Sequence, residues 1–333
     1  MVRRRGIPLK RRDQSEPGRN VIAMGKSMNR DSTGFVFALF LPAAIACADI
    51  GPNDLLVTSR NGDNVLAYNH DSGAFGGIFA NSGGLDNPVG LEWGPNGDLY
   101  VASGLTHTVI EYNPAGAFVR SIGAGSGLGE PRDLCFGPDG DLYVASGTTA
   151  QVYRYDSTTG VSKGVFASGN GLSGPVGVLF GPDQNLYVAS ALNNRILRFN
   201  SGGTYLGDFA NGGSLSNPAD LVNGPDGKLY VSSALNNRIV RFDWTTGANS
   251  IFSTDAALLT PIGMTFGNDG NLYVANAGHN DILKISGVNG VSLGSFVAAG
   301  SGGLNGPNFV TFIPEPGSLL MFAVGTIPFR RRR

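Results

Sequence analysis

The chain is predicted to be all-β, a ring of six four-stranded units, and three observations carry that prediction. One short strand is written six times: DLLVTS from Asp54, DLYVAS from Asp98, DLYVAS from Asp141, NLYVAS from Asn185, KLYVSS from Lys228 and NLYVAN from Asn271, at spacings of 44, 43, 44, 43 and 43 residues. A tight turn precedes the copies, as GPNG at Gly94, GPDG at Gly137, GPDQ at Gly181, GPDG at Gly224 and GNDG at Gly267. The two ends of the repeat region are complementary halves of one unit. A constant period means like units stacked side by side, because a single unit is too small to bury its own apolar face.

The elements of one unit follow in order. From Pro88 an apolar stretch, VGLEW (Val89 to Trp93), meets GPNG, where Pro presets φ and Asn and Gly accept turn conformations. The DLYVAS strand comes next, then a loop, the strand THTVIEYN, a turn at Pro114 and Gly116, and a last strand around FVRSIG. Strands this short, rich in Val, Leu, Tyr and Phe and lacking a helical apolar period, read as β. Four of them in about 40 to 50 residues make a β-propeller blade. The first copy begins at DLLVTS with no strand before it, while GPNFVTF (Gly306 to Phe312) supplies that strand and nothing after it. Pairing the N- and C-terminal strands closes a six-bladed β-propeller and removes its exposed edges.

Units such as GPVGVLFGPDQNLYVASALNNRILRFN (Gly174 to Asn200) and NPADLVNGPDGKLYVSSALNNRIVRFD (Asn217 to Asp243) resemble NHL repeats, with P-x-G, a strand ending near V-A, then N-R-I and an aromatic. The resemblance covers roughly residues 54 to 312 and implies the propeller fold, a scaffold that hosts unrelated activities. The acid that often closes the second strand in that family is here Ser59, Ser103, Ser146, Ser190, Ser233 or Asn276, so no role of the acid carries over.

The ends indicate a destination. MNRDSTGFVFALFLPAAIACADI from Met28 has a basic start, an apolar stretch from Gly34 to Ile45, and Ala46 and Ala48 spaced as A-x-A. It reads as a secretory signal peptide cut by signal peptidase after Ala48, too short in its apolar run to span a membrane. Residues 1–27 carry no apolar pattern, and Met24 and Met28 are alternative starts. IPEPGSLLMFAVGTIPFRRRR (Ile313 to Arg333) is similar to the PEP-CTERM sorting signal of Gram-negative bacteria. That resemblance implies cleavage near Pro314, Glu315 and Pro316 by an exosortase-type protease. The apolar run from Leu319 to Phe329 anchors the precursor transiently in the inner membrane, and Arg330, Arg331, Arg332 and Arg333 stay cytoplasmic. The expected organisation is residues 1–48 as extension and signal peptide, 49–312 as propeller and 313–333 as sorting signal.

Between Asp49 and Phe312 stand 21 Asp and Glu against 11 Lys and Arg, a net charge of −10, although the full chain carries −1. So acidic a body repels phosphate backbones and excludes nucleic acid as a partner. Of two cysteines, Cys47 leaves with the signal peptide; Cys135, in the apolar LCF, reads as a small buried hydrophobe, with no disulfide and no thiolate metal site available.

Ligands of propellers sit where the innermost strands line the central channel, and gluconolactonase-like or streptogramin-lyase-like propellers hold a divalent cation there. The corresponding position here is Gly90, Asp133, Gly177, Asp220, Gly263 and Phe309. Asp133 and Asp220, with Glu92, are the binding candidates at the channel mouth; the two aspartates read as solvated or hydrogen-bonded residues of structural turns, with weak Ca²⁺ binding as the cofactor alternative to none. Glu92 stands where other blades carry Cys135, Leu179, Val222, Thr265 and Thr311; it reads as a hydrogen-bonded glutamate at the channel mouth, with a general base of raised pKa as the alternative. His70 falls in a turn, and His107 aligns with the loop-capping Asn194 and Asn237. Asn194-Arg195 and Asn237-Arg238, with Arg198 and Arg241, read as ties between neighbouring blades. The expectation is an exported, non-catalytic binding or scaffold propeller of the cell surface or exopolysaccharide matrix, partnered by polysaccharide or a surface protein. The alternative is a divalent-cation-dependent lactonase or lyase.

Overall fold

A computed structural model of the chain describes residues 50–315; the expected processing residues Ala46, Ala48, Pro316 and Arg330 to Arg333 lie outside them. The described residues form six antiparallel four-stranded sheets. In blade one the C-terminal strand Pro307–Phe312 is innermost and pairs with Leu55–Ser59, which pairs with Asn64–Tyr68 and then Phe75–Ala80. Leu55 faces Phe312 and Val57 faces Val310, so the two ends of the repeat region do close one blade. Blades two to six begin with inner strands Pro88–Trp93, Pro131–Phe136, Pro175–Phe180, Pro218–Asn223 and Pro261–Phe266. No helix among the described residues is long and apolar enough to cross a membrane.

Burial explains the repeated strand. LYVAS at Leu99, Leu142 and Leu186 is buried at all five positions, because the second strand of each blade is covered on both faces by neighbouring blades. Such a strand reads as an unbroken apolar run. Outer strands, with one face in water, read differently: FVRSI at Phe118 is largely exposed.

The turn that opens each repeat is wired to this core. Asp139 accepts the Asp141 N–H at 3.1 Å through Oδ1 and the Tyr143 hydroxyl at 2.8 Å through Oδ2. Asp183, Asp226 and Asp269 hold Tyr187, Tyr230 and Tyr273 in the same way. Each tyrosine ring then packs edge-on against an aromatic of the next blade, Phe180, Phe266 or Phe312 at the end of an inner strand or Trp244 just after a third strand. Tyr143 meets Phe180 at 4.9 Å and Tyr230 meets Phe266 at 5.0 Å. Such pairs add about 0.5–1.5 kcal/mol each beyond area burial, repeated around the ring.

Two further series join blade to loop and blade to blade. The buried hydroxyls of Ser103, Ser146, Ser190 and Ser233 each accept the N–H and donate to the C=O of the residue 17 positions earlier. Ser59 does the same to Asn305, and Asn276 substitutes its amide by accepting the Leu259 N–H at 2.6 Å. The departure from the acidic consensus is thus a complete local solution. Asp63, His107, Asn194, Asn237 and Asn280 all adopt left-handed φ between 52° and 60°, and each side chain accepts a backbone N–H from the loop entering the next blade.

Candidate functional site

The six inner strands share one irregularity. Each skips register just after its opening Pro, as between Pro131 and Leu134 or Pro218 and Leu221, and this bulge carries the channel position. Small and large residues alternate there for a steric reason. A Cβ on Gly90 would lie 2.6 Å from Asp133 Oδ1 and 2.7 Å from its Cα, and a Cβ on Gly263 would lie 2.5 Å from the Cα of Phe309. Gly177 meets the backbone of Ala219 and Asp220 as closely. The ring closes as three glycine–large pairs.

The large members are held by the blade ahead. Asp133 Oδ2 accepts the Val178 N–H at 3.0 Å. Asp220 accepts Leu221 N–H and Met264 N–H, both at 2.7 Å, while its own N–H donates to Ser232 Oγ at 2.9 Å. Phe309 offers no acceptor, and Thr58 takes over: its hydroxyl accepts the Phe309 N–H at 2.9 Å and donates to Val89 O at 2.7 Å. Thr58 and Ser232 were not anticipated. Their signal was present, since the fifth position of the repeated DLYVAS strand is alanine in the other four copies.

Asp133 and Asp220 are 6% and 4% exposed. Burial first, and the Asp220 charge second, push the Asp133 carboxyl well above its ordinary range, while the amides of Val178 and Leu134 pull it down. Burial raises Asp220 to about 7 against the same kind of amide pull. These aspartates are hydrogen-bonded, as expected, but in buried bulges and not in solvated turns.

Glu92 corrects an expectation. Its carboxylate has no hydrogen-bond or ion-pair partner among the described residues. It faces the channel lumen, where water reaches it although protein surrounds it; that enclosure, with the Asp220 charge added, raises it to about 7. The three carboxylates share one cavity of about 660 Å³, open where the inner strands turn outward. Its walls are mostly apolar, including Trp93, Phe136, Leu179, Phe180 and Phe312, with Asn223, Thr265 and Thr311 also lining it, and among the described residues no Lys, Arg or His does. The buried Cys135 thiol belongs to the same wall, and burial pushes it up, away from the reactive thiolate. Among the described residues no group of three His, Cys, Asp or Glu is placed to hold a metal ion.

The other candidates lie elsewhere. His70 packs against Asp54 at 3.3 Å, His107 Nδ1 accepts the Glu130 N–H at 2.9 Å, and His279 sits beside Asn276 and the Ala257 carbonyl. Each asparagine ties blade to blade; Arg195 pairs within its own blade with Asp208 at 2.5 Å and also donates to Asn170 O at 3.3 Å, in the loop arriving from blade three. Pro314 lines the channel cavity, and Glu315 accepts from Asn53 Nδ2 at 2.9 Å.

The sequence profile of the virginiamycin B lyase family matches residues 80–293. The selenomethionine-substituted virginiamycin B lyase from Staphylococcus aureus is 22% identical with a TM-score of 0.50, covering 60% of this chain and 66% of that one, just under two thirds of the enzyme's length. A catalytically inactive histidine-to-alanine variant of the same enzyme, solved with quinupristin, is 19% identical with a TM-score of 0.56, covering 72% of this chain and 83% of that one. A chain of a nidogen/laminin complex is 15% identical with a TM-score of 0.66, covering 79% of this chain and 99% of that one. Identities this low are likenesses of fold. No match emerges among curated proteins.

Proposed function

We propose that this chain, which belongs to the virginiamycin B lyase family, is an exported propeller that binds a ligand at the acidic mouth of its channel without converting it. One observation carries the reading. Replacing a histidine inactivates the S. aureus lyase, whereas all three histidines of this chain lie outside the channel cavity, two of them engaged with loop backbone and His70 against Asp54. What the cavity offers is two carboxylates fixed by backbone amides and a third, Glu92, available for contact. The signal peptide and the PEP-CTERM-like tail support export: signal peptidase and an exosortase-type protease process the precursor, and the mature domain works at the cell surface or in the exopolysaccharide matrix.

The lyase or lactonase reading is favoured by one feature, Glu92 itself, since a lone carboxylate titrating near 7 suits a general base. Incubating the purified chain with quinupristin and with simple lactones, with and without Mg²⁺ or Ca²⁺, separates the two. The binding reading expects no turnover above buffer. Turnover abolished by Glu92→Gln replaces it with the enzyme.

A further inference from the structure

We infer that the channel cavity takes an organic cation, an ammonium group carried on an apolar body; this rests on the binding reading above and names its ligand class. The cavity volume of about 660 Å³ falls in the range of small-molecule sites, roughly 300–1,000 Å³. Glu92, Asp133 and Asp220 all line it, and among the described residues no basic side chain does and Glu92 lacks any partner. The carboxyl charges raise one another, Asp220 acting on Glu92 and both acting on Asp133, and a cation bound in the shared cavity lowers that repulsion.

The kind of cation follows from the walls. A hard ion such as Ca²⁺ collects six or more oxygens, but Asp133 and Asp220 already spend oxygens on the amides of Val178, Leu221 and Met264. An ammonium needs only three acceptors. The remaining surface is mostly aromatic and aliphatic, from Trp93 through Phe136 and Phe180 to Phe312, with Asn223, Thr265 and Thr311 as its polar members, and holds an apolar body better than a hydrated ion. A neutral sugar can donate hydroxyls to the carboxylates but leaves their negative charge uncompensated.

Calorimetry on the full chain tests this with n-hexylammonium, its neutral counterpart n-hexanol, and Ca²⁺. The expected result is one saturable ammonium site, at least about tenfold weaker for n-hexanol and weakened at least about tenfold by Glu92→Gln. The ammonium should also bind more tightly at pH 8 than at pH 5.5, because it selects the ionised carboxylates. Glu92 makes no hydrogen bond among the described residues, so the variant should keep its circular dichroism and melt no lower than the parent, and a loss of affinity then reports on binding and not on unfolding. Equal affinity for n-hexanol, displacement of the ammonium by equimolar Ca²⁺, an unchanged Glu92→Gln or no ammonium binding each overturns the inference. Binding of n-hexanol alone sinks the cation and leaves a binding module. Turnover dependent on Glu92 sinks the binding module whatever the ammonium does.

Discussion

Asp220 on the inner strand of blade five accepts the backbone N–H of Met264 on the inner strand of blade six at 2.7 Å. The carboxylate is therefore a joint between blades as well as part of the cavity wall. Asp220→Ala strands two buried amides, Leu221 and Met264, at about 1–3 kcal/mol each, partly offset by removing a buried charge. The expected net loss is about 2–4 kcal/mol by urea denaturation, and Asp220→Asn, which keeps one acceptor, should lose less. Equal losses for the two variants would mean that the charge, and not the amide bonds, dominates.

The same carboxyls set a pH dependence. Asp133 and Asp220 are raised above their unfolded values, Asp220 to about 7, so between about pH 4 and 7 the folded chain binds more protons than the unfolded one. Their stabilisation is complete below about 4 and is lost as pH rises through 7. Asp156, held down to about 2 by the Thr159 backbone and hydroxyl, and Asp243, lowered by Lys228, act in reverse and lose their contribution at strong acid. Stability should peak at mildly acidic pH, between roughly 4 and 6, and decline toward 8. Urea midpoints across that range check it, and Asp220→Asn should flatten the decline.

Much of this was legible beforehand, for a physical reason. A propeller blade buried on both faces writes its second strand as an apolar run, and the turn before it needs Pro, Asp and Gly in fixed places, so period, strand order and closure all leave marks in the sequence. Asp133 and Asp220 stood out because every other inner strand but one carries Gly there. The meaning of the alternation was not legible: Gly90 looks like a turn residue until the neighbouring Asp133 backbone is seen pressing on it. The serines closing the second strand were equally opaque, since a loop 17 residues earlier cannot be identified as a partner from composition. Glu92 misled because a lone carboxylate on an apolar strand ordinarily finds a donor.

The close approach at the bulges yields a third expectation. A methyl at Gly263 would meet the Phe309 Cα at 2.5 Å and Asn308 O at 2.6 Å, backbone atoms that cannot turn aside. Gly263→Ala should cost about 1–3 kcal/mol, as overpacking does. Gly270→Ala, with nothing within 4 Å but a left-handed φ of 74°, separates this steric cost from conformational strain. A Gly263→Ala protein as stable as the parent would contradict the paired-ring packing.

Thr58 provides the hydrogen bonds that Phe309 cannot. Thr58→Val keeps the shape while stranding Phe309 N–H and Val89 O at the joint where the ends of the repeat region meet, an expected loss of about 1–3 kcal/mol. Because this blade closes the ring, hydrogen exchange should show Pro307–Phe312 losing protection before any other inner strand. Uniform loss of protection across all six blades would argue that closure is no weaker than the rest.

The last prediction concerns processing. The A-x-A ending at Ala48 and the Pro-Glu-Pro at Pro314 to Pro316 bracket the propeller, and the proposed export requires the apolar run with Arg330 to Arg333 to hold the precursor at the inner membrane until a second cut. Pro314 leaves the inner strand of blade one beside the channel cavity, and Glu315 follows at an exposed position, so a protease reaches this junction without opening a blade. In a host with a matching exosortase, mass spectrometry of released protein should find a chain beginning near Asp49 and lacking the terminal arginines. Alanines at Pro314, Glu315 and Pro316 should leave the propeller folded and accumulate a membrane-bound precursor. Released protein that retains Arg330 to Arg333 would show that the tail is not a sorting signal.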